Sequence, residues 1–133
     1  MNNIFNKISN DNFLKIKLKL AFNANTPIKI LEKLSNDKDS YVRGCVAKNL
    51  NTSIEILKKL ANDENSIVRA CVARNSNTSI KLLKKLSNDK DPYVREYVAQ
   101  NSNIPVEILE KLTDDENVYV SYSAKNELKK LRN

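Results

Sequence analysis

Residues 51–76 read NTSIEILKKLANDENSIVRACVARNS, and the stretches 25–50, 77–102 and 103–128 repeat this pattern in the same register. A repeat period between about 20 and 50 residues is typical of arrays in which one small unit stacks on copies of itself. Each stretch contains two separate apolar patterns with helical spacing. The sequence therefore predicts an all-α solenoid of about five two-helix repeats.

The first helix of each repeat is predicted from an apolar face and from start signals. In the quoted repeat the apolar residues are Ile54, Ile56, Leu57 and Leu60, and they include the run Ile54, Leu57 and Leu60. Because these residues are spaced by three, both an α-helix and a 3₁₀-helix fit. Thr52 stands at the expected N-cap, with Glu55 at the spacing of a capping box. Proline at the expected first helical position supports the same start in two other repeats, at Pro27 and Pro105.

The second helix of each repeat is predicted after a short polar link. Its N-cap is expected at a recurring Asp or Asn: Asp39, Asn65, Asp91 and Asn117. The apolar face of the first such helix contains Val42, Cys45 and Val46. The helix is expected to end at a recurring Asn: Asn49, Asn75 and Asn101. Because Asn tolerates the left-handed backbone and can satisfy free helix-end groups, we predict that these residues are structural.

The outer units of the array depart from the regular pattern. Residues 1–24 fit the register in degraded form, with Ile16 at the position of Val42 and Ala21 at that of Ala47. Terminal units are often atypical because they have only one neighbour. We expect a single repeat domain over residues 1–133, in which a degenerate capping repeat precedes three regular repeats and a C-terminal repeat with its cap, at residues 1–24, 25–50, 51–76, 77–102 and 103–133.

The composition favours a binding protein over an enzyme. The 133 residues include two Cys and no His, which is the commonest general base and metal ligand. Two thiols are fewer than the about four that hold an iron–sulfur cluster, so we expect no cofactor, no metal and no catalysis. No apolar run suits a membrane span, and the first residues show no signal-peptide pattern. We therefore expect a cytoplasmic protein without membrane association.

The chain carries a net charge of +7, and this charge is unevenly distributed. Residues 1–24 contain four basic residues and one acidic residue, whereas residues 103–133 contain five basic and six acidic residues. A basic surface favours a polyanionic partner such as nucleic acid. A proteome rich in Lys and Asn produces the same excess, and the sequence does not choose between the two explanations.

Three of the repeats share the pattern T-P/S-x-x-x-L-x-x-L-A/S-x-D-x-D/N-x-x-V-R-x-x-V-A-x-N. This pattern resembles the leucine-rich repeat variant family over about residues 25–126. It is similar, more loosely, to the HEAT-like repeats, which share the Asp, Val-Arg and Ala positions. The resemblance implies α-helices that alternate with shorter helices, sometimes 3₁₀, stacked into a right-handed superhelix.

Arg43, Arg69 and Arg95 recur at one position of the second helix, and Lys17 extends this series toward the N-terminus. Guanidinium groups along a groove could bind phosphate or carboxylate through two parallel hydrogen bonds. Alternatively, each could pair with an aspartate that recurs before the second helix: Asp37, Asp63 and Asp89. We favour the ion pairs, because Arg and Asp recur together.

Lys48, Arg74 and Gln100 recur on the side of the second helix that is expected to face solvent. Small residues beside them, including Gly44 and Ala70, would let an extended ligand approach the helix closely. If the second helices line the concave side, as in HEAT-like arrays, this face is the candidate binding surface, together with the series of Lys17, Arg43, Arg69 and Arg95. A solvated face without a ligand is the alternative.

Two further pairs of residues recur in the second helices. Cys45 and Cys71 are predicted to be buried free thiols, because neighbouring helix axes lie about 8–10 Å apart, too far for ready disulfide bonding. Tyr41 and Tyr93 are expected to be half-buried at the helix starts, with stacking on a partner as the alternative.

Taken together, these features predict a non-catalytic, monomeric module that binds a protein or peptide on its concave face. The alternative is binding of nucleic acid, whose phosphate backbone would contact Lys17, Arg43, Lys48, Arg69, Arg74 and Arg95.

Overall fold

The computed structural model describes the backbone of residues 2–133 and the side chains of residues 11–133. Residues 2–133 form nine α-helices and no strand, which confirms the all-α prediction. The helices are α1 (Asn2–Phe22), α2 (Ile28–Leu34), α3 (Ser40–Lys48), α4 (Ile54–Leu60), α5 (Ser66–Arg74), α6 (Ile80–Leu86), α7 (Pro92–Ala99), α8 (Val106–Leu112) and α9 (Val118–Arg132). We call α2, α4, α6 and α8 the first helices and α3, α5, α7 and α9 the second helices. No helix within residues 2–133 is long and apolar enough to cross a lipid bilayer.

The second helices form a continuous row in which each packs against the next, and α1 packs on α3 at one end. The first helices α4, α6 and α8 each lie against the second helices that precede and follow them in the chain, and α2 lies against α1 and α3. Contacts between successive repeats of this kind are the architecture of an α-solenoid. The right-handed superhelix stays a prediction.

One apolar core runs through the stack. In the central repeat it contains Leu57 and Leu60 from α4 and Val68 and Val72 from α5, all almost inaccessible to solvent. Full burial of such a side chain contributes about 1.5–3 kcal/mol to folding. The equivalent residues of the next repeat are buried in the same way: Leu83, Leu86, Val94 and Val98. Most recurring apolar positions of the sequence are therefore the positions that stack repeat on repeat. The position of Ile54 is the exception, because Ile54 is 54% exposed and the prediction that it lies on the buried face is wrong.

The first helices are α-helical, and their N-caps lie one residue later than predicted. Ser53, not Thr52, is the N-cap of α4, and its hydroxyl accepts a hydrogen bond from Ile56 N. The Thr52 hydroxyl is buried and donates instead to the carbonyl of Val46, at 2.6 Å, near the end of α3. The predicted capping box with Glu55 is therefore wrong, because the buried hydroxyl satisfies a carbonyl of the preceding helix. Likewise, the prolines expected at the first helical position are N-cap residues: Pro27 and Pro105.

The second helices begin at the predicted N-caps. The side chains of Asp39, Asn65, Asp91 and Asn117 each accept a hydrogen bond from the backbone N–H two residues later. The asparagines at the helix ends do not adopt the left-handed backbone that the prediction invoked. Asn49 and Asn75 have an extended backbone, and no residue within 2–133 adopts a positive φ.

These asparagines connect neighbouring repeats through their side chains. Asn75 Nδ2 donates to the carbonyls of Ala47, at 2.7 Å, and Asn49, at 3.2 Å, both in the preceding repeat. Its Oδ1 accepts from Asn77 N at 2.8 Å. Asn49 and Asn101 make the equivalent bonds. Their structural role is thus confirmed, but it depends on contacts between repeats and not on a left-handed turn.

Residues 2–22 form one continuous helix, so the two-helix capping unit predicted for residues 1–24 is wrong in this respect. The physical reason is the residue at position 13. Phe13 stands at the position that corresponds to Asp39, the N-cap of α3. Because its side chain has no hydrogen-bond acceptor, it cannot cap a second helix there. Consequently Ile16, expected at a buried position, is 55% exposed, whereas Ala21 is buried as predicted.

Candidate functional site

The second helices expose a row of large side chains at their second residue. The row contains Tyr41, Ile67, Tyr93 and Tyr119, one from each repeat. In each case the backbone N–H of this residue donates to the N-cap side chain. The cap therefore fixes the backbone at this point, while the side chain extends into solvent. Tyr41 is 61% exposed and Tyr93 43% exposed, so the prediction that they are half-buried is wrong.

A groove runs beside this row across α3, α5 and α7. Its larger part has a volume of about 420 Å³ and is lined by residues that include Leu50, Ala70, Arg74 and Tyr97. A smaller recess of about 110 Å³ lies toward Tyr41 and contains Gly44 and Cys45. Both parts share three residues: Lys48, Ile67 and Cys71. We call this continuous surface, from Tyr41 to Tyr97, the second-helix groove.

The floor of the groove is made of small residues. Gly44, Cys45, Ala70 and Cys71 are all buried. A Cβ atom on Gly44 would lie 3.8 Å from Cys71 Sγ, which is ordinary van der Waals contact. The small residues are thus packed beneath the surface, and the expectation that they lie on the exposed helix face beside Lys48 is wrong. They nevertheless leave the space above them open to solvent.

Both cysteines are free thiols in the floor of the groove, as predicted. Burial raises the pKa of Cys45, and the nearby Lys48 partly opposes this effect. Burial likewise raises the pKa of Cys71. The two sulfur atoms therefore contribute apolar surface to the groove.

Two tyrosines close the groove at α7. The Tyr93 and Tyr97 hydroxyl oxygens are 2.9 Å apart, and their rings meet edge to face with centroids 4.8 Å apart. The hydrogen bond with Tyr97, together with burial, raises the pKa of Tyr93 to about 12. Arg74 Cζ lies 5.3 Å from the centroid of the Tyr97 ring, within the range of a cation–π contact. The Arg74 guanidinium is therefore held beside the groove by an aromatic ring and not by a carboxylate.

The arginine series lies elsewhere, in ion pairs between repeats. Arg43 Nε donates to Asp63 Oδ2 at 2.7 Å, and Arg95 Nε donates to Asp115 Oδ2 at 2.7 Å. Arg69 forms the equivalent pair with Asp89. Lys17 Nζ lies 2.8 Å from Asp37 Oδ2. These contacts agree with the ion-pair interpretation, which left open whether the aspartate belongs to the same or the next repeat. In every case the carboxylate comes from the following repeat.

The candidate binding residues thus fall into two groups. Lys48 and Arg74 line the second-helix groove. The four cations of the other group are engaged by carboxylates: Lys17, Arg43, Arg69 and Arg95. Gln100 is exposed at the end of α7 but does not line the groove. A binding role for the second group and for Gln100 stays a prediction.

Three large residues of the groove are not among the predicted site residues: Leu50, Ile67 and Tyr97. Ile67 had a signal, because it occupies the position of Tyr41 and Tyr93. Leu50 replaces the Ser of two later repeats, at Ser76 and Ser102. A large apolar residue where the repeats otherwise have a small polar one is a signal for a specialised surface.

Comparison with known proteins locates one family match. Residues 92–117 match the leucine rich repeat variant family, a segment that begins with α7 and ends at Asn117, the N-cap of α9. No curated protein and no solved structure matches the chain. The match and the helical stacking support a non-catalytic repeat module that binds other molecules. The chain therefore carries, at residues 92–117, a repeat of the leucine rich repeat variant type, which confirms the resemblance indicated by its sequence.

Proposed function

We propose that residues 1–133 act as one repeat domain that binds a segment of another protein in the second-helix groove. The observation that carries this proposal is the continuity of the groove over three second helices, with Ile67 and Leu50 exposed along it. Exposed apolar residues that adjoin a recess are typical of interaction sites.

The shape and chemistry of the groove favour a peptide segment. Each repeat advances the row by about 8–10 Å, so the groove accommodates a few residues of an extended chain. Tyr and Arg are enriched at protein interfaces, and Tyr93, Tyr97 and Arg74 stand together at one end. These side chains lie on helices that pack against each other, and they contact one another, an arrangement that favours binding because the site is preorganised.

Nucleic acid is the weaker candidate because of the ion pairs. Arg43, Arg69 and Arg95 each donate to both oxygens of an Asp carboxylate, so contact with a phosphate would break an existing pair. Affinity for a nucleic-acid backbone depends on the number of phosphates neutralised. With Lys48 and Arg74 as the cations of the groove, few phosphates would be neutralised there.

The proposal is tested by selecting peptides from a random displayed library on the immobilised full chain. Binding of the selected peptides is then measured to Ile67→Ser and to a matched control, Ile80→Ser. Ile67 is 60% exposed in the groove, and Ile80 is 61% exposed on α6, outside it. Loss of apolar contact to Ile67 should weaken binding at least about tenfold, while the control binds like the unmodified protein.

Two outcomes contradict the proposal. Either no peptide is selected, or the selected peptides bind both serine variants equally. Because both isoleucines are exposed, neither substitution should disturb folding, and helical circular dichroism checks this directly.

A further inference from the structure

The second-helix groove contains two cations at equivalent positions of adjacent repeats. Lys48 ends α3 and Arg74 ends α5. Among residues 11–133 neither forms an ion pair, and no Asp or Glu of this part of the chain lines the groove. The groove is therefore positively charged, although its walls are largely apolar.

This lack of a partner contrasts with the other recurring cations. Arg43, Arg69 and Arg95 each have a carboxylate at hydrogen-bonding distance. Arg74 is instead positioned by the face of the Tyr97 ring, which leaves its N–H groups available to an acceptor outside the chain. A cation beside apolar walls gains more from an anionic acceptor than one in open solvent, because less water screens the pair.

The spacing of the two cations limits the ligand further. Equivalent residues of adjacent repeats are about 8–10 Å apart. An extended chain advances about 3.3 Å per residue, and a polyproline chain about 3.1 Å with three residues per turn. Acidic side chains two or three positions apart can therefore meet both cations at once. Ile67 lies in both parts of the groove and offers contact to an apolar side chain between them.

Resting on the proposed function, we propose that the bound segment is acidic: an extended peptide with two carboxylates two or three residues apart and an apolar side chain between them. Its carboxylates accept hydrogen bonds from Lys48 and Arg74. Its apolar side chain packs on Ile67 and Leu50 above the floor formed by Ala70 and Cys71.

The first test is the sequence of the peptides whose binding depends on Ile67. We expect Asp or Glu to be enriched at pairs of positions two or three apart. In a synthetic, fluorescently labelled peptide from this set, replacing either acid by its amide should weaken binding to the full chain about tenfold, measured by fluorescence anisotropy. Enrichment of basic or uncharged residues overturns this inference but leaves the proposed function standing. Failure to find any Ile67-dependent peptide removes the proposed function itself.

The second test places the charge on the protein. Lys48→Gln and Arg74→Gln should each weaken binding of the same peptide about tenfold. Lys81→Gln replaces an exposed lysine on α6 and should leave binding unchanged. A double-mutant cycle then combines each protein variant with each amide peptide. If a carboxylate pairs with Lys48, replacing it by its amide should cost little further affinity in Lys48→Gln, and the same holds for Arg74→Gln. Equal effects of all three variants overturn the inference. A single-stranded oligonucleotide that binds more tightly than the peptide, and loses binding in Lys48→Gln and Arg74→Gln, also overturns it.

Discussion

Arg69 and Asp89 are joined by two parallel hydrogen bonds. Arg69 Nε donates to Asp89 Oδ2 at 2.8 Å and Nη2 donates to Oδ1 at 3.0 Å. Nη1 donates to the carbonyl of Asp63 in its own repeat, at 2.8 Å. Asp89 in turn accepts from Asp91 N at 2.9 Å, immediately before α7. This one contact therefore fixes two successive loops relative to α5.

Replacement of Arg69 by Ala should strongly destabilise the protein. The side chain is almost fully buried, and its loss leaves the Asp89 carboxylate without its cation. Breaking one partner of a buried ion pair typically costs about 3–5 kcal/mol. Urea denaturation followed by circular dichroism measures the free energy of unfolding. Arg74→Ala is the control, with an expected loss below about 1 kcal/mol, because Arg74 is exposed and its guanidinium lies over the Tyr97 ring and not beside a carboxylate. Equal losses would contradict the structural role of the Arg69 pair.

Replacement of Asn75 by Ala should also destabilise the stack. The buried carbonyl of Ala47 would lose its donor, Asn75 Nδ2, whereas the Asn49 carbonyl keeps a hydrogen bond from Thr52 N. A buried acceptor left without a partner costs about 1–3 kcal/mol, so the free energy of unfolding should fall by about that amount. Asn77→Ala removes one exposed bond to the Leu50 carbonyl and should cost less than about 1 kcal/mol. A loss for Asn75→Ala no larger than that for Asn77→Ala would contradict the structural role of the Asn75 bonds.

Stability should decline in acid because the paired aspartates are ionised in the folded protein. Burial raises the pKa of Asp63, but hydrogen bonds from Arg43 and from Asn65 N outweigh burial and leave this pKa below its ordinary value. The pKa of Asp89 is lowered in the same way by the hydrogen bond from Arg69. The unfolded chain, with an Asp pKa of about 3.9, thus binds more protons than the folded one in acid. The stabilisation is complete above that pKa and is lost as pH falls through the lower folded pKa.

Urea denaturation at a series of pH values from neutral to strongly acidic tests this prediction. The free energy of unfolding should fall below about pH 4 in the unmodified protein. Asp89→Asn should be less stable at neutral pH and should show a shallower decline, since it lacks one of the titrating groups. A stability that rises on acidification would have the wrong sign for these ion pairs.

The two thiols should react slowly in the native protein. Burial raises the pKa of Cys45 and of Cys71, and both side chains are largely shielded from reagents. Since the thiolate is the reactive form, a chromogenic disulfide reagent at neutral pH should modify them at least about 100-fold more slowly than in urea. The urea-unfolded chain is its own control. Equally fast reaction of both cysteines in the native state would contradict the burial of the two thiols.

Local sequence chemistry was sufficient for the elements that depend on neighbours in the chain. Asp39 and Asn65 cap their helices as predicted, because an Asx side chain just before an apolar helical pattern meets N–H groups within its own turn. Thr52 and Ser53 are both good caps, so the sequence could not decide between them. Ser53 becomes the N-cap because the Thr52 hydroxyl donates a buried hydrogen bond to the carbonyl of Val46.

The candidate site was predicted only in part. Lys48 and Arg74 were placed on an exposed face because helical geometry puts them opposite the core positions. The positions of Leu50 and Ile67 in the repeat are signals of a specialised surface, but they do not show whether these side chains and that of Tyr97 are exposed, because exposure depends on the neighbouring repeats. Arg43 and Arg69 belong to the same basic series in the sequence but to ion pairs in space.

The sequence by itself determined the repeat length, the two helices of each regular repeat and the residues that stack them, because these follow from short-range helical periodicity copied along the chain. Tertiary structure alone decided which carboxylate pairs with each cation and which apolar side chains remain exposed. These properties arise between residues of adjacent repeats, such as Arg69 with Asp89 and Lys48 beside Ile67. They depend on how one repeat is placed on the next, and a periodic pattern does not contain that placement.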